Sequence, residues 1–273
     1  GSSNLAIAQV SFGFSARSNP VLPSMAAMMS ILTVVLMLSC AEKSVSHVLM
    51  QTTGMGAEGS DNPLHRAAQR GDGMAVVEIL FACKDEVAAK ELLLAQEWGT
   101  NPGSSGWTPL HFAAWEGHSL VAMYLLLSGV NINDEASKKD ILLVQSERGA
   151  TALHLAVWQG HLEVVKVLLS AIKTEASKKD LLMMLEEKHS TALHWAAWQG
   201  HLQITKELLG AVNDKAWNKK FAEVPQPYEG SNKTARDWAA EQGHQEVEKE
   251  LSFIVQGEDT GDDTGGNAAG NED

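Results

Sequence analysis

Cysteine is nearly missing from this chain: Cys40 and Cys83 are the only two in 273 residues. A disulfide framework is therefore not expected, and a reducing, cytoplasmic setting is predicted for the folded part. Positive charge is also scarce. Twenty-one lysines and arginines face 34 aspartates and glutamates, a net charge of −13. Six of those acids (Glu258, Asp259, Asp262, Asp263, Glu272 and Asp273) crowd into the last sixteen residues, which leaves about −7 for the rest. A field of this sign repels phosphate backbones, so nucleic acid is not an expected partner. Catalytic motifs are wanting too. No phosphate loop ending in Gly-Lys-Ser/Thr, no serine nucleophile elbow and no cysteine–histidine pair in a catalytic context occurs. The many acids follow no pattern that would single out an acid/base pair, so no enzyme is predicted.

Charge is almost absent from residues 1–60, which carry only Arg17, Glu42, Lys43 and Glu58. Within them Met25 to Cys40 is interrupted only by Ser30, Thr33 and Ser39. Extended to 21–41, this stretch approaches the roughly 20 residues that span a bilayer. Pro23, Ser24 and the lack of a preceding basic cluster count against a span. Three readings stay open: a signal or anchor that makes the protein membrane-associated or exported, an apolar helix packed on the start of the folded part near Asn62, or upstream sequence without a role. Gly54-Met-Gly56-Ala-Glu-Gly59 fits the letters of the dinucleotide fingerprint. No strand-then-helix pattern surrounds it, so it reads as a linker and no cofactor is predicted. At the far end, residues 256–273 are acidic, glycine-rich and free of aromatics, the composition of a disordered tail.

What the chain has in quantity is one short pattern, five times over. It reads Asn62-Pro-Leu-His65-Arg-Ala-Ala, Thr108-Pro-Leu-His111-Phe-Ala-Ala, Thr151-Ala-Leu-His154-Leu-Ala-Val, Thr191-Ala-Leu-His194-Trp-Ala-Ala and Thr234-Ala-Arg-Asp237-Trp-Ala-Ala. A glycine follows each at a fixed offset (Gly71, Gly117, Gly160, Gly200, Gly243), then an apolar run such as Leu162 to Leu169 with helical spacing. The glycines are placed to end a first helix in the left-handed conformation. Such self-similarity marks stacked units that share one elongated core.

The units resemble ankyrin repeats, whose signature is Thr-Pro-Leu-His-x-Ala, and the likeness covers residues 61–255. The resemblance implies an all-α solenoid of about five units. It further implies a non-enzymatic, monomeric scaffold that binds a protein or peptide in its concave groove. Membrane tethering or export through residues 21–41 is the alternative. Spacing departs from the family: the pattern recurs after 46, 43, 40 and 43 residues, against roughly 33. The surplus lies in similar connectors, Glu86 to Leu94, Glu135 to Leu143, Glu175 to Met183 and a weaker copy at Trp217 to Phe221. Ser137 with Asp140, and Ser177 with Asp180, have capping-box spacing, so each connector is expected to add a short helix, followed by a short turn.

Eight of ten histidines recur at equivalent places, four in the turn and four after the glycine, which favours a structural role over metal binding. No metal is predicted. Trp115, Trp158 and Trp198 occupy one position in three consecutive units, with Glu116, Gln159 and Gln199 beside them. By the resemblance these positions face the groove. The partner-binding set is therefore Trp107, Trp115, Glu116, Trp158, Gln159, Trp198 and Gln199, the tryptophans forming one ladder. The competing reading packs the indoles into the core.

Overall fold

The computed structural model describes residues 62–83, 86–97, 104–127, 134–228 and 231–256. All lie in one compact unit, Val48–Asp273; a second, Gly1–His47, falls outside the described residues. The apolar stretch 21–41, the Gly54 to Gly59 run and the tail from residue 257 are likewise outside them.

Among the described residues the first repeat folds as α1 (Pro63–Arg70) and α2 (Gly73–Phe81), with connector helix α3 (Glu86–Leu94). The second has α4 (Pro109–Glu116), α5 (Ser119–Leu127) and connector α6 (Glu135–Leu143). The third has α7 (Ala152–Gln159), α8 (Leu162–Ser170) and connector α9 (Glu175–Leu182). The fourth has α10 (Ala192–Gln199), α11 (Leu202–Gly210) and connector α12 (Lys215–Ala222), then an antiparallel hairpin of β1 (Gln226–Tyr228) and β2 (Ser231–Lys233). The fifth is α13 (Ala235–Glu241) and α14 (Gln245–Gln256). Like packs on like. Each first helix touches the next first helix, each second helix the next second helix, and α3, α6 and α9 form a third layer of connectors. One continuous core results, from Leu64 and Leu80 through Leu153 and Leu168 to Val247 and Leu251.

In the second, third and fourth units the first helix begins with a threonine and a histidine that satisfy one another. The Nδ1 of His111 accepts from the Thr108 backbone N–H at 3.2 Å and contacts its hydroxyl at 2.8 Å. Thr151 with His154 and Thr191 with His194 repeat the arrangement. An accepting Nδ1 leaves the proton on Nε2, which donates onward across the stack: His111 to the Ala150 carbonyl and His194 to the Val224 carbonyl, both at 3.0 Å. In the third unit Nε2 of His154 closes no hydrogen bond. The first unit has Asn62 in place of threonine; its side chain caps Leu64 instead, and Nδ1 of His65 has no partner. In the last unit the Asp237 carboxylate accepts from both the N–H and the hydroxyl of Thr234. A carboxylate reproduces the cap but has no donor to send onward.

The glycine ending each first helix couples the same units a second time. Gly160 has φ +80°, open to glycine at little strain, and the His201 ring of the next unit lies where its side chain would be, 2.8 Å from a Cβ built there. Gly71, Gly117 and Gly200 are covered in the same way by His118, His161 and His244. His118, His161 and His244 also cap the preceding helix, whereas Nε2 of His201 closes no hydrogen bond. Nε2 of His161 donates to the Trp115 carbonyl and that of His244 to the Trp198 carbonyl, each at 3.0 Å, serving orphan acceptors at a helix C-terminus.

The connector helices form, but they start one turn earlier than the capping-box spacing indicates. Asp134 and Thr174 are the N-caps, accepting from the backbone N–H of Ser137 and Ser177. Those serines are already inside the helix because the residue before Glu135 or Glu175 supplies the capping oxygen first. Between connectors run three ion pairs, Lys90–Asp140 at 2.7 Å, Lys139–Asp180 at 2.5 Å and Lys179–Asp214 at 2.9 Å. Their partial exposure keeps each modest in energy. Short turns follow α6 and α9, closed by Gly149 N–H to the Ser146 carbonyl and His189 N–H to the Glu186 carbonyl. Adjacent turns are joined by Glu187 N–H to the Arg148 carbonyl. The last connector departs from this pattern by closing through the β1–β2 hairpin.

Two outcomes are expected from this network. Gly160→Ala and Gly243→Ala both impose a left-handed alanine, which costs about 1–2 kcal/mol, but nothing described lies within 4 Å of a Cβ at Gly243. Gly160→Ala therefore destabilises more, by about 1 kcal/mol or beyond, in urea unfolding; equal costs would show that the imidazole cover is slack. Burial holds His111, His154 and His194 at about 4, below their ordinary 6.5. The folded state keeps them neutral while the unfolded chain takes up protons, so their contribution is complete above pH 6.5 and falls as pH drops toward 4. Each histidine adds about 1.4 kcal/mol per pH unit in that window. The urea midpoint should decline steeply between pH 6 and 4.5, and a flat profile there would contradict neutral burial.

Candidate functional site

The last turns of α4, α7 and α10 carry Trp115, Trp158 and Trp198, and the hydrogen bonds from His161 and His244 fix the backbone under two of them. Under the third, the Gln199 side chain approaches the Trp158 carbonyl at 3.4 Å. The indoles thus stand on clamped helix ends. All three are half-buried.

They do not form one ladder. Trp115 packs on Trp107, ring centroids 5.5 Å apart, and Trp107 meets Phe112 edge-on at 5.1 Å. Trp158 instead stacks on Trp198 at 5.5 Å and takes the edge of Trp195 at 4.2 Å. The division has a local cause. Only the second unit places an indole directly before its threonine; Ala150, Ser190 and Lys233 hold that place in later units. Trp115 therefore finds a partner within its own repeat, whereas Trp158 finds one in the next. Between the clusters lies a groove of about 510 Å³, lined by Trp107, Trp115, Glu116, Trp158 and Trp195, with Arg148 and Glu186 to Lys188 at its edge. A smaller hollow of about 190 Å³ continues from it between Trp158, Trp195, Trp198 and Trp238.

Of the seven residues expected from sequence, Trp107, Trp115, Glu116 and Trp158 meet at the groove and Trp198 at its extension. Gln159 is exposed and lines neither hollow. Gln199 serves the Trp158 carbonyl. Trp107 is 7% exposed, so it belongs largely to the core while presenting one edge to the groove. Phe112, Trp195 and Trp238 were not expected from sequence, although all three hold the place directly after the turn histidine or its aspartate replacement. Unlike Trp115 and its equivalents they vary in type, and repetition does not mark a position whose residue changes from unit to unit.

The turns at the groove edge rest on glutamines. Gln96 donates to the carbonyls of Gly106 and Gln145, and Gln145 to those of Gly149 and Leu185. Leu185 stands where the next glutamine would be and is 41% exposed. Gln226 resumes the series, donating to the Lys188 carbonyl and accepting from Trp238 Nε1. Glu186 receives the Lys188 backbone N–H at 3.1 Å, and its partial burial raises its pKa above the ordinary value. His154 at the groove floor is held neutral by its burial. Flat aromatic faces, donors and a mixed-charge edge suit binding. Among the described residues no group of three or more histidines, cysteines or acids is placed to hold a metal, and no helix is long and apolar enough to cross a membrane.

Compared with known families, residues 36–136 match the model for ankyrin repeats in three copies, and residues 148–178 and 188–217 each match the single ankyrin repeat. Together these matches cover more than half of the chain. The fifth unit, α13 and α14, lies beyond them, in keeping with its Arg236-Asp237 and its polar second helix. No curated protein matches the chain.

Burial separates the indoles by energetic role. Trp107→Ala is expected to cost about 3–5 kcal/mol, as for a large core side chain. Gln159→Ala should stay within about 0.5 kcal/mol, with Trp198→Ala between them. Urea unfolding of the three variants checks the order, and a Trp107→Ala protein as stable as the parent would remove Trp107 from the core.

Proposed function

Because the chain belongs to the ankyrin-repeat family, we propose that it is a non-enzymatic scaffold that captures a protein or peptide partner along the aromatic groove. Repeats of this family are generally protein-interaction modules. One observation carries the reading: two clusters of indoles on clamped helix ends face each other across about 510 Å³ of open groove. A core would close over such rings. Left half-exposed they are an apolar patch with a polar edge, the composition of a binding hot spot. The rigid stack adds to this, since side chains already held in place lose little entropy when a partner arrives. Trp115, Trp158, Trp195 and Trp198 are the anchors in this reading, with Glu116, Arg148 and Lys188 selecting at the edge.

The combined change of Trp115, Trp158 and Trp198 to Ala tests it. Each anchor contributes about 2 kcal/mol or more at an interface, so capture of the partner from native lysate should weaken by several orders of magnitude. Far-ultraviolet circular dichroism should still report the parental helix content. Undiminished capture by the folded variant would overturn the proposal, as would collapse of the fold, which would make the indoles core.

A further inference from the structure

Resting on that groove reading, we infer that its occupant is an extended proline-rich peptide in the polyproline II conformation. The hydrogen-bonding inventory is the first support. An indole offers one donor and no acceptor. Trp238 Nε1 is occupied by the Gln226 side chain at 2.6 Å. Among the described residues, the N–H groups of Trp115, Trp158, Trp195 and Trp198 donate to no acceptor of the chain, and none of these nitrogens is among the buried unpartnered atoms. They are accessible donors beside flat apolar faces.

The complementary ligand carries acceptors, apolar rings and few donors of its own. Proline lacks the backbone N–H. In polyproline II no carbonyl is engaged internally, so every one is free to meet an indole N–H. The positive edge of each indole then faces the negative end of a carbonyl dipole, and pyrrolidine rings lie on the aromatic faces.

Spacing is the second support. A polyproline II turn rises about 9 Å over three residues, and helices packed side by side lie about 8–10 Å apart. One turn of peptide thus advances by about one repeat, from the Trp107–Trp115 pair to the joined cluster of Trp158, Trp195 and Trp198. Charge is the third. Glu116, Glu186 and Glu187 at the groove edge are nearly balanced by Arg148 and Lys188. Strongly acidic or basic peptides gain little there, whereas an uncharged one leaves no ion stranded. Aromatic walls also suit methylated ammonium groups, but such a ligand has no use for four indole donors.

The test is fluorescence anisotropy of the full chain with four labelled ten-residue peptides: decaproline, an alanine-rich peptide of equal charge, a trimethyl-lysine peptide and an acidic peptide. Decaproline should bind saturably and at least about ten-fold more tightly than the others. Trp158→Phe and Trp198→Phe keep an aromatic face but lose the N–H together with part of the ring area, so each should weaken decaproline at least about five-fold with helix content unchanged. Gln159→Ala should have no effect. Tighter binding of the trimethyl-lysine or acidic peptide, itself dependent on Trp158, would overturn the proline assignment and leave the groove reading standing. Binding of none of the four would also overturn it, while the lysate capture decides the groove separately. Full-strength decaproline binding by both phenylalanine variants would remove the hydrogen-bond argument and the inference with it.

Discussion

An imidazole lying on a glycine holds the successive repeats together. Ankyrin units cannot bury their apolar faces singly, so stability depends on how firmly each couples to its neighbour. Here coupling is double. The turn histidine closes its own cap through Nδ1 and reaches the next unit through Nε2. The histidine after the glycine covers the preceding unit and caps its carbonyl. The first contact needs a neutral ring with one donor nitrogen, and the second needs a glycine with no side chain. The sequence can therefore change freely at exposed positions while these few atoms stay in place.

The groove inherits its rigidity from that coupling. The carbonyls of Trp115 and Trp198, capped from the following unit, belong to the residues whose indoles face outward. The same contact that stacks two repeats therefore orients a groove residue, and binding is pre-organised by the stacking itself. The connector helices add a third layer with its own ion-pair rungs. That layer accounts for the long repeat.

Much of this was legible in sequence because it repeats. The five Leu-His or Arg-Asp turns, the five glycines and the similar connectors each recur, and periodic signals survive a weak residue here and there. Three features were not legible. The true caps, Asp134 and Thr174, lie outside the copied Ser-Lys-Lys-Asp segment, and the two differ in type. The division of the tryptophans depends on Trp107, present in one unit only, and a pattern shared by units says nothing about an exception to it. Trp195 and Phe112 vary where the family motif itself tolerates any residue, so a position that shapes the groove is one that the signature leaves blank.

Gly243 is a socket over which no described residue lies, and His244 beside it is the plug that fits the socket before. Every interior repeat carries one of each. A stretch of gene copied in tandem would therefore inherit both halves of the joint, and the lengthened stack would lock at the new seam with no further change. Asp237 departs from that grammar: by trading a two-sided ring for a carboxylate, the fifth copy keeps its own start but has no donor to send onward.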